Sequence, residues 1–179
     1  MKKEVQFLPT NVAVLTVSDS RTLETDKSGN SIVSYLEEAG HNLADRKIVK
    51  DDLETIRSTV KNWAESGNIE FVIVTGGTGV TQRDVTPEAI KPLFTKHIPG
   101  FGELFRYLSF EEIGTSTIQS RADAGLIGHT IAFLLPGSTG ACRLGMERII
   151  LDQMNLTFRP CNFAELMPRI KDDSGCASH

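Results

Sequence analysis

The sequence predicts an α/β domain, a three-layer sandwich with a mostly parallel central sheet, and three observations carry that prediction. Apolar runs at Asn11 to Val17, Phe71 to Val74 and Ile131 to Leu135 each read as a strand covered on both faces. Amphipathic helical stretches separate them, the alternation that builds a parallel sheet with helices on both sides. Each run also leads into a glycine- or hydroxyl-rich loop. Ligands of such sheets bind beyond the carboxyl ends of the strands, so the loops at 18–21, 75–84 and 136–138 are expected to form one site.

The elements follow in order. After the first strand, a polar loop runs from Ser18 to Gly29, and SIVSYLEEAG then places Ile32, Val33, Leu36 and Ala39 at helical spacing before Gly40. Residues 43–49 read as a weaker strand. Asp51 and Glu54 stand three apart before Leu53, Ile56, Val60, Trp63 and Ala64, which fits a capped amphipathic helix closed by Gly67. The second strand enters Thr75-Gly76-Gly77-Thr78-Gly79, and Thr86-Pro87-Glu88 is a strong helix start. Residues 101–113 and 116–126 read as two further helices, the second rich in small residues. The third strand opens through Pro136-Gly137-Ser138 onto a helix bearing Cys142, Met146, Ile149 and Ile150. The whole chain, 1–179, is read as a single domain with its core over about 10–160 and a partly frayed extension over 161–179, polar beyond Asp173.

Composition narrows the function. A chain of 179 residues with 40% hydrophobic and 23% charged residues matches one ordinary globular domain. Its net charge of -4 and pI near 5.6 predict no nucleic-acid or membrane partner. Three cysteines cannot all pair, and none lies in a CxxC unit, so reduced thiols in the cytoplasm are expected. Met1-Lys2-Lys3 is followed by too short an apolar stretch for a signal peptide, and no run approaches the ~20 apolar residues of a membrane span. Histidines 41, 97, 129 and 179 are scattered without metal-ligand spacing.

The TGGTG segment fits neither a P-loop, which needs a following Lys, nor a dinucleotide fingerprint, which needs a third glycine. Its physical content stands without those labels: glycines let backbone approach a ligand and leave amides to cradle anionic oxygens. Ser138 fits either a ligand contact or a helix cap, Asp51 either a site acid or a cap, and Asp84 either a site acid or a turn residue. At the carboxyl edge of a sheet, two such carboxylates from separate loops are suited to hold Mg²⁺ against substrate phosphates.

Together, LTVSDSR (15–21), TGGTGVTQRDVTPEA (75–89) and LPGST (135–139) resemble the MoaB/Mog family of molybdenum-cofactor biosynthesis proteins. PGFGELFRYLSFEEIGTST (99–117) and RPCNF (159–163) look nearer to the bacterial MoaB branch than to Mog. The resemblance implies the molybdopterin-binding fold, assembly into homotrimers or homohexamers, and binding of molybdopterin. In catalytic members the terminal phosphate of that pterin attacks the α-phosphorus of Mg-ATP, releasing pyrophosphate. The family acids match Asp51, with Lys50 in place of the usual proline, and Asp84 within Arg83-Asp84-Val85-Thr86-Pro87. The resemblance therefore implies Asp51 and Asp84 as catalytic, Mg²⁺-holding acids. Ser18, Asp19, Thr75, Gly76, Gly77, Thr78, Gly79, Glu88, Pro136, Gly137 and Ser138 form the expected substrate-binding set. Two functions follow: a molybdopterin adenylyltransferase using ATP, or a non-catalytic protein that binds molybdopterin or a nucleotide such as GTP. The large apolar residues from Phe101 to Phe110 exceed what one sheet face needs, which points separately to a homo-oligomer.

Overall fold

The computed structural model describes residues 5–172. Its strands are β1 (Asn11–Val17), β2 (Asn42–Val49), β3 (Phe71–Thr75), β4 (Lys96–His97), β5 (Asp123–Ile127) and β6 (Thr130–Leu135). The helices are α1 (Lys27–Glu38), α2 (Leu53–Glu65), α3 (Thr86–Ile90), α4 (Pro99–Ile113), α5 (Thr139–Gly145), α6 (Leu151–Met154) and α7 (Phe163–Asp172). A wider π-helical turn at Met146–Ile150 joins α5 to α6. One sheet orders the strands β2-β1-β3-β6-β5-β4. The first four run parallel, while β5 pairs antiparallel with β6 and β4 antiparallel with β5.

The twofold period of a strand divides the apolar runs between two cores. Val12 and Val14, Phe71 and Ile73, and Ile131, Phe133 and Leu135 meet side chains of α1, α4 and α7 on one face. Ala13 and Leu15, Val72 and Val74, and Ala132 and Leu134 meet α2 and α3 on the other. These are the three layers that the unbroken apolar strands require. The chain leaves β1 through α1 to β2 on one side, returns through α2, and adds β3 on β1's other flank. The boundary between β1 and β3 is therefore a topological switch point, where a crevice opens.

Two expectations need correction. The stretch 116–126 is not a helix: Gly114–Gln119 forms a tight 3-10 turn, and Asp123–Ile127 is strand β5. The Phe94 ring lies over Gly125, so the residue that argues against a strand is there to admit that ring. Helix α1 begins at Lys27, inside the expected loop, because the Asp26 side chain accepts a hydrogen bond from the Gly29 amide and caps it. Within the extension, Asn162, itself buried, accepts from the Glu165 amide to start α7, while Phe163 and Met167 join the core. The tail beyond Asp173 lies outside the described residues.

Phe133 sits at the centre of this packing, its ring 5.0 Å from that of Phe101, 6.3 Å from Phe71 and 6.2 Å from Phe163. Phe133→Ala is expected to lose roughly 3–5 kcal/mol in urea unfolding, the usual cost of an aromatic cavity. A loss below about 1 kcal/mol would show that the core closes around the gap, which dense packing forbids.

Candidate functional site

The loops after β1, β3 and β6 meet at the switch point, as the strand directions require, and line a cavity of about 620 Å³. Volumes of this order suit a cofactor-sized ligand. Backbone and hydroxyl groups stitch the loops together. The Gly76 amide donates to Leu135 O at 3.1 Å, the Thr75 hydroxyl to Pro136 O at 3.0 Å, and the Ser28 hydroxyl to Gly137 O at 3.0 Å. Gly76 and Gly77 both take positive φ, 98° and 63°. A side chain on Gly76 would run into Val17 O, and one on Gly77 would lie 2.9 Å from Asp51 Oδ1 as well as on the Thr86 hydroxyl. At both positions only glycine fits, for conformation and for space. Thr86 closes the loop by donating its amide to Gly77 O at 2.9 Å and its hydroxyl to Gly76 O at 2.8 Å.

Asp51 stands beside this loop, and the structure settles its competing assignment. The cap of α2 is Asp52, which accepts from the Thr55 amide at 2.8 Å and the Thr55 hydroxyl at 2.6 Å. Glu54 pairs instead with Arg57 at 3.0 Å. The capping box expected of Asp51 and Glu54 is therefore displaced by one residue, and the Asp51 carboxylate is left to line the cavity. Burial, and then the negative charges of Asp19 and Asp84, push its pKa up. Asp84 goes the other way. Its carboxylate accepts from the Thr81 hydroxyl at 2.6 Å and the Thr81 amide at 2.9 Å, which holds its pKa down against partial burial. Asp84 is thus both a turn residue and a cavity-lining acid.

Most of the expected set converges. Ser18, Thr75 to Gly79 and Pro136 to Ser138 line the cavity with Asp51 and Asp84. Asp19 stands at the rim, where it pairs with Arg83 and accepts from the Asp51 amide at 3.4 Å. Glu88 is not brought in; it turns outward to pair with Arg121. Ser138 caps α5 by accepting from the Ala141 amide at 3.2 Å, so the cap reading holds for its hydroxyl while the residue still lines the wall. The Gly76 amide is used in the sheet, and the Gly79 amide is directed at Asp84. The Gly77 and Thr78 amides have no hydrogen-bond partner among the described residues.

Two parts of the site were not expected. Buried Asp26 accepts from the Thr16 hydroxyl at 2.7 Å and pairs with Arg46 at 3.0 Å, fixing the first loop to the sheet. Its signal was the Asp26-Lys27-Ser28-Gly29 run, an acid just ahead of small residues at a helix start. The far wall comes from α4 and the turn after it, through Phe105, Ser109, Ile113 and Gln119. No spacing in the sequence marks those residues, because their approach depends on the antiparallel end of the sheet. No group of three His, Cys, Asp or Glu arranged for a metal occurs among the described residues.

Fold and cavity together define a three-layer α/β domain that presents an acid-lined, glycine-rich crevice at its switch point. The family model described as a probable molybdopterin binding domain matches residues 13–155, and the chain belongs to that family. It is 51% identical over 158 residues to Molybdenum cofactor biosynthesis protein B of Escherichia coli strain K12, covering 88% of this chain and 93% of that one. The protein of the same name from Bacillus subtilis strain 168 is 51% identical over 142 residues, covering 79% and 84%. A crystal structure of Molybdenum cofactor biosynthesis protein B superposes with a TM-score of 0.83 at 41% identity, over 92% of this chain and 98% of that one. The tungsten cofactor synthesizing protein MoaB of Pyrococcus furiosus gives 0.70 at 40% identity, over 79% and 90%.

The raised Asp51 pKa has a stability consequence. An acid whose pKa rises on folding opposes folding once ionised: its favourable contribution is complete below the unfolded value and lost as pH climbs through the folded one. Without divalent cations, Asp51→Asn is therefore expected to melt above the parent at pH 7. The gap should close as pH falls below the ordinary aspartate value of about 3.9. A variant that melts below the parent at pH 7 would refute an ionised Asp51 that burial and its acidic neighbours disfavour.

Proposed function

We propose that this protein acts in molybdenum cofactor biosynthesis by binding molybdopterin and adenylylating it with Mg-ATP. The observation that carries the reading is the release of Asp51 from helix capping into the cavity that Asp84 also lines. A phosphate oxygen of molybdopterin attacks the α-phosphorus of ATP, the bond to the bridging oxygen breaks, and pyrophosphate leaves. Transfers of this kind depend on positioning and charge stabilisation more than on a protein nucleophile. In this reading the Gly77 and Thr78 amides, without partners among the described residues, donate to anionic oxygens of the ligand. Arg83 is bound to Asp19 only through an exposed ion pair, weak enough to yield to a phosphate.

The donor chemistry fits Mg²⁺. Asp51 and Asp84 offer hard oxygen ligands, and Mg²⁺ commonly takes one or two carboxylates, with substrate phosphates and water completing its shell. A dication also offsets what raises the Asp51 pKa, burial first and then the charges of Asp19 and Asp84. When bound, the ion neutralises charge on the phosphates.

A second reading, binding of molybdopterin or a nucleotide such as GTP without turnover, draws on Lys50, which stands where the resemblance leads one to expect proline. Incubating the protein with molybdopterin, ATP and Mg²⁺ separates the two. Adenylyl-molybdopterin and pyrophosphate support transfer; retained pterin without AMP attachment supports the binding protein instead.

For the transferase, Asp84→Asn keeps acceptor capacity toward Thr81 but removes the charge. Turnover should fall by roughly 10²–10³, the scale of a lost electrostatic anchor. The melting temperature should change little, because the turn's hydrogen bonds have a replacement acceptor. Normal turnover by this variant would remove Asp84 from the catalytic set.

The functional unit is proposed to be a homo-oligomer with three-fold symmetry. Leu104, Tyr107, Phe110 and Ile113 on α4 are exposed, and so is Ile118 just beyond, a concentration of uncovered large apolar side chains. Light scattering should show more than one copy at micromolar concentration. Paired Tyr107→Glu and Phe110→Glu changes should yield a monomer, and a monomeric parent would sink the assignment.

A further inference from the structure

Arg121 lies behind the cavity rather than in it, between the turn after α4 and strand β5, with about a third of its side chain exposed. Its guanidinium spans the loop that carries Asp84. Nε donates to Thr78 O at 3.3 Å, Nη2 donates to Asp84 O at 2.8 Å, and Nη1 pairs with the Glu88 carboxylate. One planar group thus holds the main chain at both ends of the segment from Thr78 to Asp84. Apart from the exposed Arg83–Asp19 ion pair, which reaches the loop after β1, the segment's other ties are local: Asp84 to Thr81 within it, and Thr86 to Gly76 and Gly77 at its base. The local ties do not fix its distance from the rest of the fold, and an ion pair so open to solvent does so only weakly.

Arg121 is itself anchored. Arg106 on α4 donates from Nη1 to Ser120 O at 3.4 Å and to Ala122 O at 3.0 Å, the carbonyls on either side of Arg121. Gly102 makes the approach of α4 possible, since a side chain there would collide with Ala122 O. Two guanidiniums in series therefore connect the α4 layer to the back of the acidic loop.

We infer that Arg121 is the positioning residue of this site, setting the reach of the Asp84 carboxylate and the orientation of the Gly77 and Thr78 amides through the Thr78 and Asp84 carbonyls. The inference rests on the reading of Asp84 as a cation-holding acid. It differs from a simple surface ion pair with Glu88, which would contribute little and which a lysine could replace. A lysine cannot reproduce the fork: an ammonium is a point charge that does not present planar donors to two carbonyls and a carboxylate together.

The test uses the full chain with Arg121→Lys and Arg121→Met. Mn²⁺ is titrated by electron paramagnetic resonance, and amide hydrogen exchange is followed over residues 76–88. Thermal unfolding is recorded on the same samples. Both variants are expected to melt cooperatively, to bind Mn²⁺ more weakly by roughly 10–100-fold, as outer-shell changes usually do, and to exchange the 77–84 amides faster. Exchange in β1 and β3 should stay at the parent's rate. Parent-like Mn²⁺ affinity and loop exchange in a folded Arg121→Lys would overturn the inference. If Arg121→Met does not fold, Arg121→Lys alone decides. A parent protein that binds no Mn²⁺ defeats the metal-holding reading of Asp51 and Asp84, and Arg121 as the loop's anchor then stands or falls on the exchange rates.

Discussion

A side chain at Gly76 would strike the carbonyl oxygen of Val17, and the rest of the site depends on that space being empty. The ends of β1 and β3 are neighbours in a parallel pair, with Thr16 opposite Thr75, so their loops must part at once. They part by way of two consecutive left-handed glycines, Gly76 and Gly77. That turn brings the Gly77 backbone against the Asp51 carboxylate and the Thr86 hydroxyl, and lets the loop after β6 close to 3.1 Å between the Gly76 Cα and the site where a Gly137 side chain would begin. Three loops converge because none of them has bulk at the point of contact.

Within that frame, two similar carboxylates are placed in opposite electrostatic states. Asp84 is held ionised by donors from its own turn, whereas Asp51 is disfavoured as an anion by burial and by its acidic neighbours. An acid destabilised in this way stores a preference for a cation or a proton. Binding chemistry and folding stability are then opposed at Asp51, which is the usual relation at a functional site. The buried Asp26–Arg46 pair and the Thr16 hydroxyl fix the first loop to the sheet nearby, so the Asp51 carboxylate is left without a structural partner of its own there among the described residues.

The middle of the sheet was legible because β1, β3 and β6 are apolar almost without interruption, which a position between two layers explains. The convergence of three loops followed from strand direction alone. The antiparallel end was not legible. Strand β5 reads DAGLI, and its Gly125 counts against a strand until the Phe94 ring is seen to need the space. Strand β4 is two residues long and carries no pattern at all. The capping assignment missed by a single residue, since Asp51 and Asp52 present the same side chain to any spacing rule, and only backbone geometry makes Asp52 the cap.

The sequence by itself determined the fold class, the parallel strands and the glycine turn, because each rests on local composition or on the period of burial. Tertiary structure decided which acid faces the cavity, what forms its far wall, and that Glu88 turns away from it toward Arg121. Those outcomes depend on contacts between residues tens of positions apart, such as Arg121 with Thr78 and Ser28 with Gly137. A one-dimensional pattern records what each segment buries, but not which distant segment it meets.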